Sequence, residues 1–272
     1  MAAGAASPYT IVIEPLNHDR TLLTNTGVYA DYDLRNIDLA CVAAAKLFHL
    51  GYPTLLPRLF ADGGAGFLDL LRAVKETGVA VSVDMSLPPP DSPSGQADWR
   101  AILGRCLPLV DIFVPSIEEI MFMLRRKDLE RWGGQLFARL DADYLSGLAD
   151  ELLSLGVGVA GFKLGERGLY LKAAAKPDRL AFLSALGASP SDCAGAAVWQ
   201  PAFLVEVAGT TGAGDAAYAG LLAAILRGLG PRECARMACA AAACNIEAAD
   251  ATSGVRAWEE TEARLAAGWP TL

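Results

Sequence analysis

Hydrophobic residues along this chain alternate between two rhythms. GAGFLDLLRAVKETG (64–78) carries apolar side chains three and four apart and stops at Gly78, the spacing of an amphipathic helix with a glycine past its last turn. VAVSVDM (79–85) follows as a continuous apolar run ending in an acid, which suits a short strand buried on both faces. The unit then recurs. WRAILGRCL (99–107) precedes DIFVPS (111–116), and DYLSGLADELLSLG (143–156) precedes VGVAGFKLG (157–165). Helix followed by buried strand, several times over, predicts a parallel sheet covered on both faces.

The flanks read differently. TIVIEPL (10–16) and TLLTNTGVYA (21–30) predict paired strands around the turn NHDR, and NIDLACVAAAKLFHL (36–50) predicts a helix leading into a strand at LGYPTLL (50–56). Beyond Gly168, the segments GLYLKAA (168–174), RLAFLSA (179–185) and AFLVEVA (202–208) predict three strands extending the sheet on one edge, with SALGASPSDCAGAA (184–197) as an exposed loop. AAYAGLLAAILRGLG (216–230) predicts a helix ended by Gly228 and Gly230, and MACAAAACNIEAA (237–249) a buried one. No internal repeat or low-complexity linker divides residues 1–272, so one domain is expected.

Composition narrows the function. A net charge of −8 disfavours nucleic acid and anionic membrane as partners, since both demand clustered Lys and Arg. The start MAAGAASPYT lacks the basic and apolar regions of a signal peptide, and no run is long and apolar enough to span a bilayer. The six cysteines show no CxxC and no histidines at ligand spacing, so buried reduced thiols and a cytoplasmic location are expected. A small molecule is the expected partner.

In sheets of this kind ligands bind beyond the carboxyl ends of the strands. Asp84, Ser116, Lys163 and Gly209 all fall at predicted strand ends, so four loops are expected to converge, with Asp84 a candidate for substrate contact. The last of these loops, GTTGAGD (209–215), opens a helix. Glycines there let backbone approach a ligand, and the unpaired N–H groups of a first helical turn bind anionic oxygens. Asp215 is poorly suited to hold an anion itself. It can accept a proton from a hydroxyl that attacks phosphorus, or it can simply cap the helix. No Walker lysine follows these glycines, and no GxGxxG opens this helix.

Thr210-Thr211-Gly212-Ala213-Gly214-Asp215 resembles the C-terminal signature of the ribokinase-like, or PfkB, family of carbohydrate and nucleoside kinases. DIFVPSIEEI resembles its NxxE segment, FKLGERGLYL its KxGxxG nucleotide segment, and AAACNIEAADATSGV its adenine-closing helix and loop, all in the family's order. The resemblance implies a three-layer α/β/α fold with a mostly parallel central sheet and, here, a reduced lid. It implies ATP and Mg²⁺ as cofactors, a sugar or nucleoside as substrate, and a possible homodimer through lid strands. It implies Asp215 as catalytic base and the amides of Gly212, Ala213 and Gly214 as the anion hole. Lys163, Gly165, Gly168, Thr211 and Asn245 would lie by the nucleotide, and Glu119 would position Mg²⁺ through water. Each of these has a plainer reading: Glu119 as a helix-dipole partner, Lys163 and Gly168 as a β-turn, Asn245 as a core amide.

The chain also departs from the pattern. Gly209 stands where the family commonly carries a cation-binding Asp, which makes K⁺ activation doubtful, and Ser116 replaces the Asn of NxxE. The family's first strand, substrate-binding Asp, Gly-Gly loop and most of its lid have almost no counterpart. The expectation is that either the sequence is shortened at its N-terminus or its substrate half-site was rebuilt or lost. Two functions follow as expectations: a kinase acting on a hydroxyl of a sugar or related small alcohol, or a nucleotide-binding regulatory protein without turnover.

Overall fold

The computed structural model describes residues 7–13 and 21–272. Two antiparallel strands come first, β1 (Tyr9–Ile13) and β2 (Thr21–Asn25), and form a sheet of their own. The predicted turn NHDR lies outside the described residues. A short helix α1 (Leu39–Ala43) leads to β3 (Leu47–Leu50), α2 (Pro57–Glu76) and β4 (Ala80–Val83). Then come α3 (Trp99–Cys106), β5 (Ile112–Phe113), α4 (Ile117–Leu124), α5 (Arg126–Trp132), α6 (Leu136–Arg139), α7 (Ala142–Ser154) and β6 (Val159–Lys163). The last third holds β7 (Leu169–Ala173), α8 (Phe182–Leu186), α9 (Pro190–Cys193), β8 (Ala197–Gln200), α10 (Ala213–Leu226), α11 (Pro231–Asn245) and α12 (Trp258–Ala266).

The six strands β3 to β8 lie in sequence order, parallel from β3 through β6 and antiparallel from β6 through β8. Side chains of successive strand residues face opposite sides, which sorts the core into two layers. Val81, Val83, Phe113, Ala160 and Phe162 pack with α2, α3, α4 and α7 on one face. Ala80, Ile112, Val159, Leu169 and Leu171 pack with α8, α10 and α11 on the other. The result is a three-layer α/β/α sandwich with a mostly parallel sheet.

Helix α10 meets α11 closely because Gly220 offers no side chain: a Cβ there would lie 2.8 Å from the Ala241 Cβ. The regular part of α2 begins only after Gly64, since Asp62, Gly63 and Gly64 are left-handed.

Several expectations need correction. The strand after the NIDLACVAAAK helix is LFHL, starting three residues earlier than LGYPTLL, whose residues turn into a 3₁₀ segment at Pro53–Leu55. RLAFLSA is helical, in a 3₁₀ turn followed by α8. AFLVEVA forms no strand; only Phe203 makes an isolated bridge, to Thr271, and the sheet edge is AVWQ instead. The expected loop 184–197 holds α9 and buries Leu186 and Cys193. Cys41 is exposed, while the other five free cysteines are buried as expected.

Candidate active site

Three of the four predicted strand-end residues meet at the carboxyl edge of the parallel strands. Asp84 follows β4 and is 2% exposed; its Oδ2 accepts from Lys163 Nζ at 2.6 Å and its Oδ1 from the Met85 N–H at 2.8 Å. Lys163 closes β6 and is pinned by its own N–H, which donates to the Pro115 carbonyl at 3.0 Å. Burial pushes the Asp84 carboxyl above its ordinary pKa, against the pull of Lys163. Ser116 sits beside Lys163 in a parallel bridge. Gly209 follows an irregular segment rather than a strand, so it reaches the site along the path into α10.

Gly212 starts that helix from a left-handed conformation (φ 78°), and a Cβ on it would lie 2.4 Å from the Ala251 carbonyl oxygen, so only glycine fits. The N–H groups of Ala213, Gly214 and Asp215 fall in the first turn of α10, where no helical acceptor lies four residues back. Lys163 reaches this turn from the sheet: a Cβ on Gly214 would lie 3.5 Å from its Nζ. The Ala213 N–H donates to the Thr210 carbonyl at 3.3 Å, which leaves those of Gly214 and Asp215 free in front of a buried cation, the electrostatics of an anion site. Asp215 is exposed at the same turn and accepts a hydrogen bond from the Tyr52 hydroxyl.

Glu119 lies on the first turn of α4, where its Oε2 accepts from the Ser116 N–H at 2.7 Å. Burial pushes its carboxyl up to about 7, with Asp84 and Glu118 adding and Lys163 opposing. Asn245 is fully buried at the end of α11, and its Nδ2 donates to the Thr211 carbonyl at 3.0 Å, holding the glycine-rich loop in place.

Gly165 and Gly168 lie in the tight connection between β6 and β7, farther along the edge. The Leu164 N–H donates to the Gly168 carbonyl at 2.8 Å, and a Cβ on Gly168 would lie 2.0 Å from the Gln200 carbonyl oxygen. The turn requires these two glycines whatever else they do. Asp84, Lys163, Gly214, Asp215 and Glu119 therefore form one cluster, with Thr211 and Asn245 supporting it and Gly165 and Gly168 at its flank.

Two tyrosines that sequence reasoning passed over complete the cluster. Tyr218 is fully buried three residues after Asp215 on the same helix face. Its hydroxyl lies 2.9 Å from the Val83 carbonyl oxygen and accepts from Ser82 Oγ at 3.0 Å, while Ser82 Oγ is 2.9 Å from His49 Nδ1. This network ties α10 to β3 and β4 one turn after Asp215. Its sequence signal was the Asp215–Tyr218 spacing. Tyr52 is the other, and the sequence around it carries no comparable sign.

The pfkB family carbohydrate kinase profile matches residues 6–258, nearly the whole chain and the whole cluster. This chain belongs to the pfkB family of carbohydrate kinases. Solved structures agree on the fold. Ribokinase from Thermotoga maritima is 20% identical, with a TM-score of 0.65 over 96% of this chain and 70% of its own. Arabidopsis thaliana ribokinase complexed with ribose and ATP is 18% identical, with a TM-score of 0.64 over 96% and 70%. Fructokinase from Xylella fastidiosa with bound ATP is 16% identical, with a TM-score of 0.67 over 97% and 75%. The ribokinase-like architecture of this pfkB member is thus the three-layer sandwich seen here, with a two-stranded β1–β2 sheet beside it. Among the described residues, no helix is long and apolar enough to cross a membrane, and no three His, Cys, Asp or Glu side chains cluster as a metal site.

Proposed function

We propose that the chain, acting as one kinase domain, transfers the γ-phosphate of ATP to a hydroxyl of a sugar or related small alcohol, with Asp215 as the base. The observation that carries this is the first turn of α10, where amide donors and an exposed carboxylate lie on the turn whose Gly214 Cβ position is 3.5 Å from the Lys163 ammonium. A helix cap alone has no use for a buried lysine aimed at its glycines.

The donor set fits MgATP. The N–H groups of Gly212, Ala213 and Gly214 form the anion hole, that of Ala213 by exchanging the Thr210 carbonyl, to which it donates at 3.3 Å, for a phosphate oxygen, and Lys163 adds charge. Mg²⁺ is commonly held by one or two carboxylates plus phosphates and water, so Glu119 acting through water needs no three-ligand protein cluster. When bound, ATP supplies the transferable phosphoryl group, and the metal neutralises its charge. The remaining chemistry belongs to the chain. Asp215 accepts the proton of the attacking hydroxyl, and the Asp84–Lys163 pair, fixed by burial, keeps the ammonium turned toward Gly214. Thr211, Gly165, Gly168 and Asn245 shape the nucleotide side of the site, the last by holding the loop. The Arabidopsis ribokinase with ribose and ATP and the Xylella fastidiosa fructokinase with ATP support both the nucleotide and the sugar class.

Activation by a monovalent cation is not expected at Gly209. The N–H groups of Ala208 and Gly209 both donate to the Ile246 carbonyl, at 2.8 and 3.3 Å, and a Cβ at Gly209 would lie 2.8 Å from the Ala249 carbonyl oxygen. The two loops are joined by backbone contacts, and Gly209 brings no carboxylate to them. The exposed Tyr9, Ile11, Ile13 and Leu23 of the β1–β2 sheet give a homodimer its natural surface, which sedimentation velocity tests directly. A cytoplasmic site of action goes with this reading.

The deciding experiment is a phosphoryl-transfer screen with MgATP against a panel of sugars, sugar alcohols and nucleosides. ADP release stimulated by at least one acceptor supports the assignment. Nucleotide binding with no transfer to any member would favour a regulatory role instead.

A further inference from the structure

Tyr52 stands out because its backbone is left-handed (φ 56°, ψ 60°) although it is not glycine. For an L-residue this costs about 1 to 2 kcal/mol and persists only where the surroundings over-determine it. Here they do. The Tyr52 N–H donates to the Asp84 carbonyl at 3.1 Å, its own carbonyl accepts from the Leu55 N–H at 2.9 Å, and the next residue is the buried Pro53. One residue on, Thr54 Oγ1 is 2.8 Å from Ser86 Oγ. The loop after β3 is thus stapled to the loop after β4, and this twist aims the half-buried phenol across the sheet edge at a residue 163 positions away, Asp215.

We propose that Tyr52 is a positioning residue for the base: its hydroxyl donates to Oδ1 of Asp215 and so turns the second carboxylate oxygen toward the acceptor hydroxyl. The assignment rests on the kinase reading above. An exposed carboxylate on a first helical turn is otherwise free to rotate, and a base must meet its proton at hydrogen-bond distance. A phenol suits the task better than a cation, because a neutral donor orients a carboxylate while depressing its basicity less. Burial and the Asp215 carboxylate both push the Tyr52 pKa upward, so it remains a donor at any working pH. The rigid backbone argues for a fixed part of the site rather than a side chain that swings away.

Tyr52→Phe keeps the ring, the packing and the backbone and removes one hydroxyl. Expected is a fall in kcat of about tenfold or more, since small losses of alignment at reacting groups are costly, with ATP affinity within about twofold of wild type. An equal rise in KM for ATP, or turnover within about twofold of wild type, would overturn the proposal. A second measurement needs no acceptor: a double-mutant cycle of Tyr52→Phe with Asp215→Ala in urea unfolding. It should show a coupling of about fivefold in the unfolding equilibrium, the scale of one net hydrogen bond, and zero coupling would also overturn the proposal. Coupling in a wild-type chain that transfers phosphate to nothing would defeat the kinase reading, and the positioning role with it, while leaving the contact itself established.

Discussion

Replacing Glu119 by Gln should stabilise the ligand-free protein, and do so more as pH rises. The side chain is isosteric, and its oxygen can still accept from the Ser116 N–H, so the capping contact at 2.7 Å is kept. What changes is the charge. Burial raises the Glu119 carboxyl from 4.5 in the unfolded chain to about 7 in the fold, so the folded state holds its proton more tightly. Such a group contributes stability that is complete below the unfolded value and is lost as pH climbs through the folded one. A difference of roughly 2.5 units corresponds to about 3 kcal/mol, reached above about pH 8, with only about 1 kcal/mol expressed near pH 5. Glutamine cannot ionise and escapes the loss. Urea unfolding of wild type and Glu119→Gln at the two pH values should therefore show the variant's advantage growing by about 2 kcal/mol, or roughly 4 to 8 °C in thermal midpoint. A constant difference across that range, or a variant less stable at high pH, would refute the claim that burial of this charge dominates. Millimolar Mg²⁺ with ATP should narrow the gap by giving the wild-type carboxylate a partner.

Lys163→Met leaves Asp84 buried and unpaired, which should cost about 3 to 5 kcal/mol in urea unfolding, with a larger loss at high pH where the acid must ionise. Gly168→Ala forces a Cβ to within 2.0 Å of the Gln200 carbonyl oxygen at φ 84°, and should lower stability by at least about 2 kcal/mol by calorimetry. Exchanging K⁺ for Na⁺ or a bulky organic cation at fixed ionic strength should leave turnover within about twofold, since Gly209 packs directly against Ala249.

Strands β4 to β6 were legible because each is a compact apolar run preceded by a strongly periodic helix. The edge was not. In RLAFLSA, Leu180 and Phe182 are two apart while Leu180 and Leu183 are three apart, so seven residues fit both periods, and packing chose the helix that buries Leu180, Leu183 and the following Leu186. AFLVEVA alternates like a strand, but Leu204 and Val207 remain exposed because no neighbouring strand pairs with it. Alternation records a tendency and says nothing of partners. At the site, Asp215 and its glycines drew notice by local spacing and Lys163 by its place at a strand end, whereas Glu119 was reached only through the resemblance of DIFVPSIEEI to the NxxE segment. Tyr52 could not, because its contact spans the whole fold and its left-handed backbone precedes a proline, where that conformation is disfavoured. Asn245 was legible as a residue of interest, but its burial against Thr211 came only with the tertiary structure.

The most direct test of the account is the turnover of Asp215→Asn with the best acceptor from the transfer screen, measured beside its affinity for MgATP. Asn caps a helix about as well as Asp and retains an oxygen for the Tyr52 hydroxyl, so fold and nucleotide binding should survive. Loss of the general base should lower kcat by about 10² to 10⁴, with nucleotide affinity within about twofold of wild type. Retention of more than about a tenth of wild-type turnover would contradict the assignment of Asp215 as the base.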